Sequence, residues 1–162
     1  MLRTPAPLIG ALGIGNKHML GRCLCGAVEF EITGALPDLY QCHCSLCRKQ
    51  SGAASNAATI VQVSQFAWVR GRDGIKSWIK NTGFRSDFCS ECGSPVPNPL
   101  RDKPYYWVPA GLLDPTETTA LIVHLYIGSK ADWEHEPAAG TKYEEMPSLE
   151  QLLNELDGGP DA

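Results

Sequence analysis

The chain has 162 residues, of which 43% are hydrophobic and 20% charged, and its formal net charge is -4. This length suits one domain with a sizeable core, and the composition is that of an ordinary globular protein. A sequence pI near 5.5 argues against a duplex nucleic-acid binder, which usually carries a basic surface. Sixteen glycines and twelve prolines leave little room for long helices and favour short strands joined by turns.

Residues 1–19 are predicted to form an N-terminal extension, and residues 20–162 a single domain. The apolar stretch from Leu8 to Ile14 is short and interrupted by glycine, whereas a signal peptide needs a longer apolar region and a small-residue cleavage site. No other stretch approaches the ~20 apolar residues of a membrane span. We therefore expect a cytoplasmic protein that makes no membrane contact.

Six segments have the pattern of short β-strands. In AVEFEIT (27–33) apolar and polar side chains alternate with the period of a half-buried strand, and Gly34 and Pro37 end the pattern. The other five segments are residues 57–63, 66–70, 75–79, 105–111 and 120–127. Half a dozen short strands separated by turns predict a mainly β domain.

A helix is predicted near the C-terminus, in the segment PSLEQLLNELDGG. Ser148 is the expected N-cap, Gln151 would complete a capping box, and Gly158 supplies a stop signal. Leucines at positions 149, 152, 153 and 156 form an apolar stripe along one side of this helix. A second, brief helix is compatible with residues 48–50, between Cys47 and Gly52.

All seven cysteines fall into three short clusters. They are a first pair (Cys23 and Cys25), a cysteine triad (Cys42, Cys44 and Cys47) and a last pair (Cys89 and Cys92). Secreted disulfide scaffolds usually spread an even number of cysteines along the chain, so this odd, clustered set indicates metal binding. A CxxC turn brings both sulfurs toward one point, and in an extended CxC segment both side chains point to the same side.

Spacing alone does not decide which clusters share a metal ion. The first pair and the last pair can form a four-cysteine site, which leaves the triad as a separate three-thiolate set. The first pair could instead combine with Cys44 and Cys47, or the last pair with Cys42 and Cys44. The spacing therefore predicts metal binding and leaves the grouping open.

Five segments carry a resemblance to a known family. "GRCLCGAVEFEITG", "CHCSLCRKQSGA", "FCSECGSPV", "VPAGLLDP" and "HLYIGSKADW" resemble, in this order, motifs of the glutathione-dependent formaldehyde-activating enzyme family, which includes the centromere protein V domain. The resemblance runs from about Gly21 to Pro147. It implies a β-tent zinc fold of small antiparallel sheets, related to methionine sulfoxide reductase type B and to Rab-binding zinc proteins.

The resemblance also implies two Zn²⁺ ions per chain and assigns their ligands. Its pattern places a structural zinc at the first and last pairs and a second, catalytic zinc at the triad. The activity that it implies is that of a carbon–sulfur lyase, which joins glutathione and formaldehyde into S-hydroxymethylglutathione. The expected partners are therefore a small-molecule thiol and an aldehyde.

A zinc ion held by three thiolates keeps one coordination position for water or substrate. A thiol that binds there loses its proton, and the thiolate is the nucleophilic form. Three anionic ligands make the zinc a weak Lewis acid, so we favour thiol capture over strong carbonyl activation. Arg48 and Lys49 are the candidate contacts for the carboxylates of a glutathione-like substrate, and the alternative is two solvated charges.

Several other residues are also candidates for a role in the site or in the core. His43 lies between two ligands of an extended segment and should point away from them, so we expect it to form hydrogen bonds rather than bind the metal. His124 is predicted to be a hydrogen-bonded core residue. Arg85 has the same two interpretations as Arg48 and Lys49, and we favour the solvated charge over a substrate contact. The four tryptophans are predicted to lie in the core.

Two other functions remain compatible with the sequence. In a non-catalytic binding module both zinc ions would be structural, and the triad would acquire a fourth ligand such as His43 or a residue of a partner. A lyase or carrier for another thiol–electrophile conjugate would keep the zinc chemistry with a different substrate. A redox protein would need a cysteine outside the metal sets, and the chain has none. The sequence leaves a homodimer open.

Overall fold

The computed structural model describes residues 18–114, 119–135, 137 and 139–158. These residues form twelve β-strands in sheets of three, six and three strands, together with two α-helices. The predicted fold class, a mainly β protein of small sheets with a short C-terminal helix, is confirmed. None of the helices in these ranges is long and apolar enough to cross a membrane.

The first sheet is antiparallel, with strand order β1-β2-β5. Its strands are β1 (His18–Arg22), β2 (Glu29–Thr33) and β5 (Phe66–Arg70). The alternation predicted for β2 buries Phe30 and Ile32 completely, and they pack against Val61 and Val108 of the central sheet. A Cβ at Gly21 would lie 2.2 Å from the Phe30 ring, so only glycine leaves room for this aromatic side chain.

The central sheet has the order β12-β11-β3-β4-β10-β9. Its strands are β3 (Leu39–Cys42), β4 (Asn56–Gln62), β9 (Asn98–Pro99), β10 (Tyr105–Pro109), β11 (Leu121–Leu125) and β12 (Thr141–Lys142). β11 runs parallel to both of its neighbours, β3 and β12, whereas the other pairs are antiparallel. Cys42 is the last residue of β3, so the cysteine triad begins where this strand ends.

The third sheet carries the last cysteine pair. It consists of β6 (Ile75–Ile79), β7 (Arg85–Cys89) and β8 (Pro95–Val96), all antiparallel in this order. Cys89 ends β7, and the chain then turns through Gly93, whose φ of 75° lies in the left-handed region that favours glycine. The turn returns the chain to β8 and brings Cys92 back toward Cys89.

Both helices begin and end with capping interactions. α1 (Ser45–Ser51) starts after Cys44 and stops at Gly52, whose backbone is left-handed. α2 (Leu149–Leu156) starts at the predicted N-cap Ser148, whose hydroxyl accepts a hydrogen bond from the Gln151 amide at 3.1 Å. The predicted capping box is wrong in its second half, because the side chain of Gln151 donates to the Tyr143 hydroxyl instead.

The six predicted strands correspond to β2, β4, β5, β6, β10 and β11, with ends displaced by no more than two residues. Residues 1–17 of the predicted extension lie outside the described residues, and His18 and Met19 belong to β1. The core assignment of the tryptophans is wrong for Trp78 and Trp133, which are 54% and 71% exposed. Trp78 lies on β6, an edge strand whose outer side no described strand covers.

Candidate metal centres

The first and last cysteine pairs come together between two sheets. Their four sulfurs all lie within 4.8 Å of one another, and Cys25 Sγ is 3.5 Å from Cys23 Sγ and 3.8 Å from Cys89 Sγ. Cys23 follows the first sheet and Cys89 ends a strand of the third, so a shared ion would join the two sheets. Four sulfurs converging on one point are the donor set of a closed structural zinc site.

The groups around this four-cysteine cluster favour the thiolate form of its sulfurs. Cys23 and Cys89 are buried against Val28 and Val96, and the Val28 amide donates to Cys23 Sγ at 3.3 Å. Contacts with the hydroxyl and backbone of Ser94 lower the pKa of Cys92 to about 5. These amide and hydroxyl groups lie next to the sulfurs, as expected around thiolate ligands of a metal ion.

The cysteine triad forms at the junction of β3 and α1. Cys42 is buried at the end of β3, Cys44 is the N-cap of α1, and Cys47 lies in the first helical turn, where its amide donates to Cys44 Sγ at 3.4 Å. The three sulfurs lie within 4.8 Å of one another. No fourth histidine, cysteine or carboxylate ligand converges on them within the described ranges.

The electrostatics of the triad favour a bound cation. Hydrogen bonds from the Cys42 and Cys47 thiols lower the pKa of Cys44, which holds the negative charge. The same contact with Cys44 raises the pKa of Cys42, and contacts with both neighbours raise the pKa of Cys47. Ionisation of one sulfur therefore disfavours ionisation of its neighbours, whereas a metal ion would let all three ionise.

His43 lies on the side of the chain opposite to the two neighbouring ligands, as expected. Its side chain is 1% exposed, with Nδ1 2.8 Å from Glu134 Oε1 and Nε2 3.2 Å from Nδ1 of the buried His124. Burial and the neighbouring His43 lower the pKa of His124. We call Glu134, His43 and His124 the buried polar chain. No sequence pattern indicates a role for Glu134, which lies in a charged stretch far along the chain from His43.

Arg48 and Lys49, the predicted substrate contacts, have different surroundings. Arg48 Nη1 donates to the His43 carbonyl at 2.9 Å and also to the Ser129 carbonyl, so its guanidinium ties α1 to the segment after β11. Lys49 is exposed on the next position of α1. Their roles toward a substrate stay predictions. The solvated interpretation of Arg85 is wrong, because Asp87, itself 4% exposed, accepts two 2.8 Å hydrogen bonds from its guanidinium.

Comparison with known proteins agrees with this arrangement. The family model described as glutathione-dependent formaldehyde-activating enzyme matches residues 18–129, a range that contains all seven cysteines and more than half of the chain. The chain belongs to this family. The resemblance expected from the motifs is thereby confirmed. Glu134, β12 and α2 lie beyond the matched range.

A solved structure also resembles this family member. The crystal structure of a Rhodobacter sphaeroides protein shares 29% sequence identity with it, with a TM-score of 0.51. The similarity covers 62% of this chain and 92% of that chain. The match therefore takes in nearly all of that chain, whereas this chain has residues outside it.

Proposed function

We propose that this protein is a zinc-dependent carbon–sulfur lyase that acts on thiol–aldehyde adducts, with glutathione as the thiol and formaldehyde as the aldehyde. The observation that carries the proposal is the cysteine triad, in which three sulfurs converge and no fourth ligand joins them within the described residues. The name of the family to which the chain belongs contains these two reactants. Three protein ligands with an open fourth position are the arrangement of a catalytic zinc site rather than of a closed structural one.

The proposed ligands divide into two sets. The first and last pairs would hold a structural zinc, and Cys42, Cys44 and Cys47 a catalytic one. When bound, the catalytic zinc supplies a position at which a substrate thiol loses its proton. The chain supports this site by holding Cys42 in the core of the central sheet, while Cys44 and Cys47 are half-exposed and accessible to a small molecule.

The proposed reaction is an addition that needs no oxidant or reductant. The thiolate sulfur forms a bond to the aldehyde carbon, and the π electron pair of the carbonyl moves onto its oxygen. That oxygen takes up one proton, which balances the proton lost by the thiol. Lys49, exposed on α1, is the side chain we propose to attract a carboxylate of the thiol substrate. Arg48 would contribute mainly by holding the segment after β11 in place.

Two alternatives give different expectations. A non-catalytic binding module would need a closed triad, and the buried polar chain engages both ring nitrogens of His43 away from the sulfurs. A lyase or carrier for another thiol–electrophile conjugate would bind thiols in the same way but convert a different electrophile. We propose that the partners are small molecules rather than nucleic acid and that the protein works in the cytoplasm.

The test is sulfur coordination measured by X-ray absorption on the zinc-loaded protein, with and without glutathione. We expect two zinc ions per chain and a gain of one sulfur ligand at the triad when glutathione is added. S-methylglutathione, which has no free thiol, is the matched control and should add none. Catalysis is then measured by nuclear magnetic resonance, as the rate of exchange between free formaldehyde and its glutathione adduct. A triad that already has four protein ligands and ignores glutathione would refute the proposal.

A further inference from the structure

Tyr126, the residue after β11, has a backbone conformation that is rare for its type. Its φ of 59° and ψ of 43° lie in the left-handed region, where a side chain with a Cβ is disfavoured and a bulky one is strained. Such strain persists where the surroundings impose it, and it is concentrated at functional sites. The neighbouring hydrogen bonds show what imposes it here.

A one-residue β-bulge holds Tyr126 in this conformation. In a regular parallel ladder, the amide of Tyr143 would donate to the carbonyl of His124. The carbonyl of Tyr143 would then accept a hydrogen bond from the amide of Tyr126, two residues after His124. The first bond is present at 2.8 Å, but the second comes from Ile127 at 3.0 Å, three residues after His124. Tyr126 is therefore part of an insertion of one extra residue, and bulges of this kind redirect side chains next to active sites.

The bulge changes the face on which Tyr126 lies. Along β11, Val123 and Leu125 face the core that contains Cys42, whereas His124 faces His43 on the other side. In a continued strand, residue 126 would lie on the side of His124. Tyr126 packs instead against the core cluster that contains Cys42, and Cys44 and Cys47 pack against the same cluster.

The phenol of Tyr126 is close to the sulfurs and free to donate. The sulfurs of Cys42 and Cys44 lie near enough for their charges to act on the Tyr126 phenol. No acceptor for its O–H is found among the residues that the structure describes, and the side chain is only half-buried. The phenol of Tyr143 differs, because it already bonds Glu155 and Gln151.

We propose that Tyr126 is a catalytic residue of the triad site, whose phenolic O–H donates a hydrogen bond to the oxygen of the thiol–aldehyde adduct. This inference rests on the proposed function and assigns the group that recognises the aldehyde oxygen. As the carbon–sulfur bond forms, the carbonyl π pair moves onto that oxygen, which takes its proton from water. Tyr126 keeps its own proton and stabilises the developing charge, as an oxyanion donor does.

The test compares two stable conjugates by calorimetry, using the zinc-loaded protein. S-(2-hydroxyethyl)glutathione has a hydroxyl where S-propylglutathione has a methyl group of similar size. We expect the natural protein to bind the hydroxyl conjugate about 5-fold more tightly, and Tyr126→Phe to bind both equally. The same variant should lose about 10- to 100-fold in kcat, with the KM for glutathione nearly unchanged.

The control variant is Tyr106→Phe, which removes a phenol hydroxyl from a tyrosine whose ring stacks on that of Phe66. It should leave the preference between conjugates and the kcat unchanged. Equal zinc content and circular dichroism in both variants would show that the fold is intact. A natural protein that binds the two conjugates equally well, or a Tyr126→Phe variant that keeps the preference, would overturn the role of Tyr126 alone. A natural protein that binds neither conjugate would also overturn the role of Tyr126, whereas failure of glutathione to add a sulfur ligand at the triad would overturn the proposed function together with it.

Discussion

Replacing Glu134 by leucine removes the carboxylate that contacts His43 inside the buried polar chain. The His43 side chain is 1% exposed and that of Glu134 is 11% exposed, and their closest atoms are 2.8 Å apart. Leucine offers no polar atom, so the buried His43 Nδ1 would lose its 2.8 Å contact with the Glu134 carboxylate. Water cannot replace the lost contact at a side chain with so little exposed surface.

The expected loss of stability follows from the penalty for a buried, unpaired polar group, which is about 1–3 kcal/mol. For a chain of this size, each 1 kcal/mol lowers Tm by about 2–4 °C. We therefore expect Glu134→Leu to lower the free energy of unfolding by about 2 kcal/mol and Tm by about 6 °C. Glu134→Gln keeps an acceptor oxygen near the same place and should lose less than half as much.

The assay is thermal and urea unfolding of the zinc-loaded variants, with zinc content measured on each sample. The matched control is Glu29→Leu, which breaks a 2.6 Å contact with Arg70 on the surface, where the two side chains are 27% and 59% exposed. Water screens that pair, so its loss should change Tm much less. If the two leucine variants lowered Tm equally, burial would not be what makes the Glu134 contact important, and the reasoning would be refuted.

Further predictions concern folding and local structure. Cys23→Ser should unfold the domain, whereas Cys44→Ser should remain folded by circular dichroism but lose activity; equal unfolding would make the triad structural. Removing zinc with a strong chelator should likewise lower Tm, and adding zinc should restore it. Ser148→Ala should cost about 1 kcal/mol in urea unfolding by removing the α2 N-cap. Gly71→Ala should destabilise far more than Gly52→Ala, although both have positive φ, because only at Gly71 would the new Cβ lie 2.0 Å from a backbone oxygen.

Two of the elements that were predicted correctly, β2 and α2, have burial with a local period. β2 alternates buried and half-buried residues, and α2 buries Leu152 and Leu156 one turn apart, so near neighbours in sequence reveal the buried face. β3 and β7 were not predicted. β3 has only four residues and pairs in parallel with a distant strand, and β7 buries the polar side chain of Asp87, which local hydrophobicity does not anticipate.

The sequence by itself determined that this chain is mainly β, ends in a capped helix and carries cysteines spaced for metal binding. These features depend on side chains a few residues apart, whose relation is set by backbone geometry. The tertiary structure decided which cysteine clusters meet, that Glu134 contacts His43, and that Tyr126 packs against the core cluster that contains Cys42. Each of these depends on the pairing of distant strands, and a one-residue shift of that pairing changes which side chains face one another.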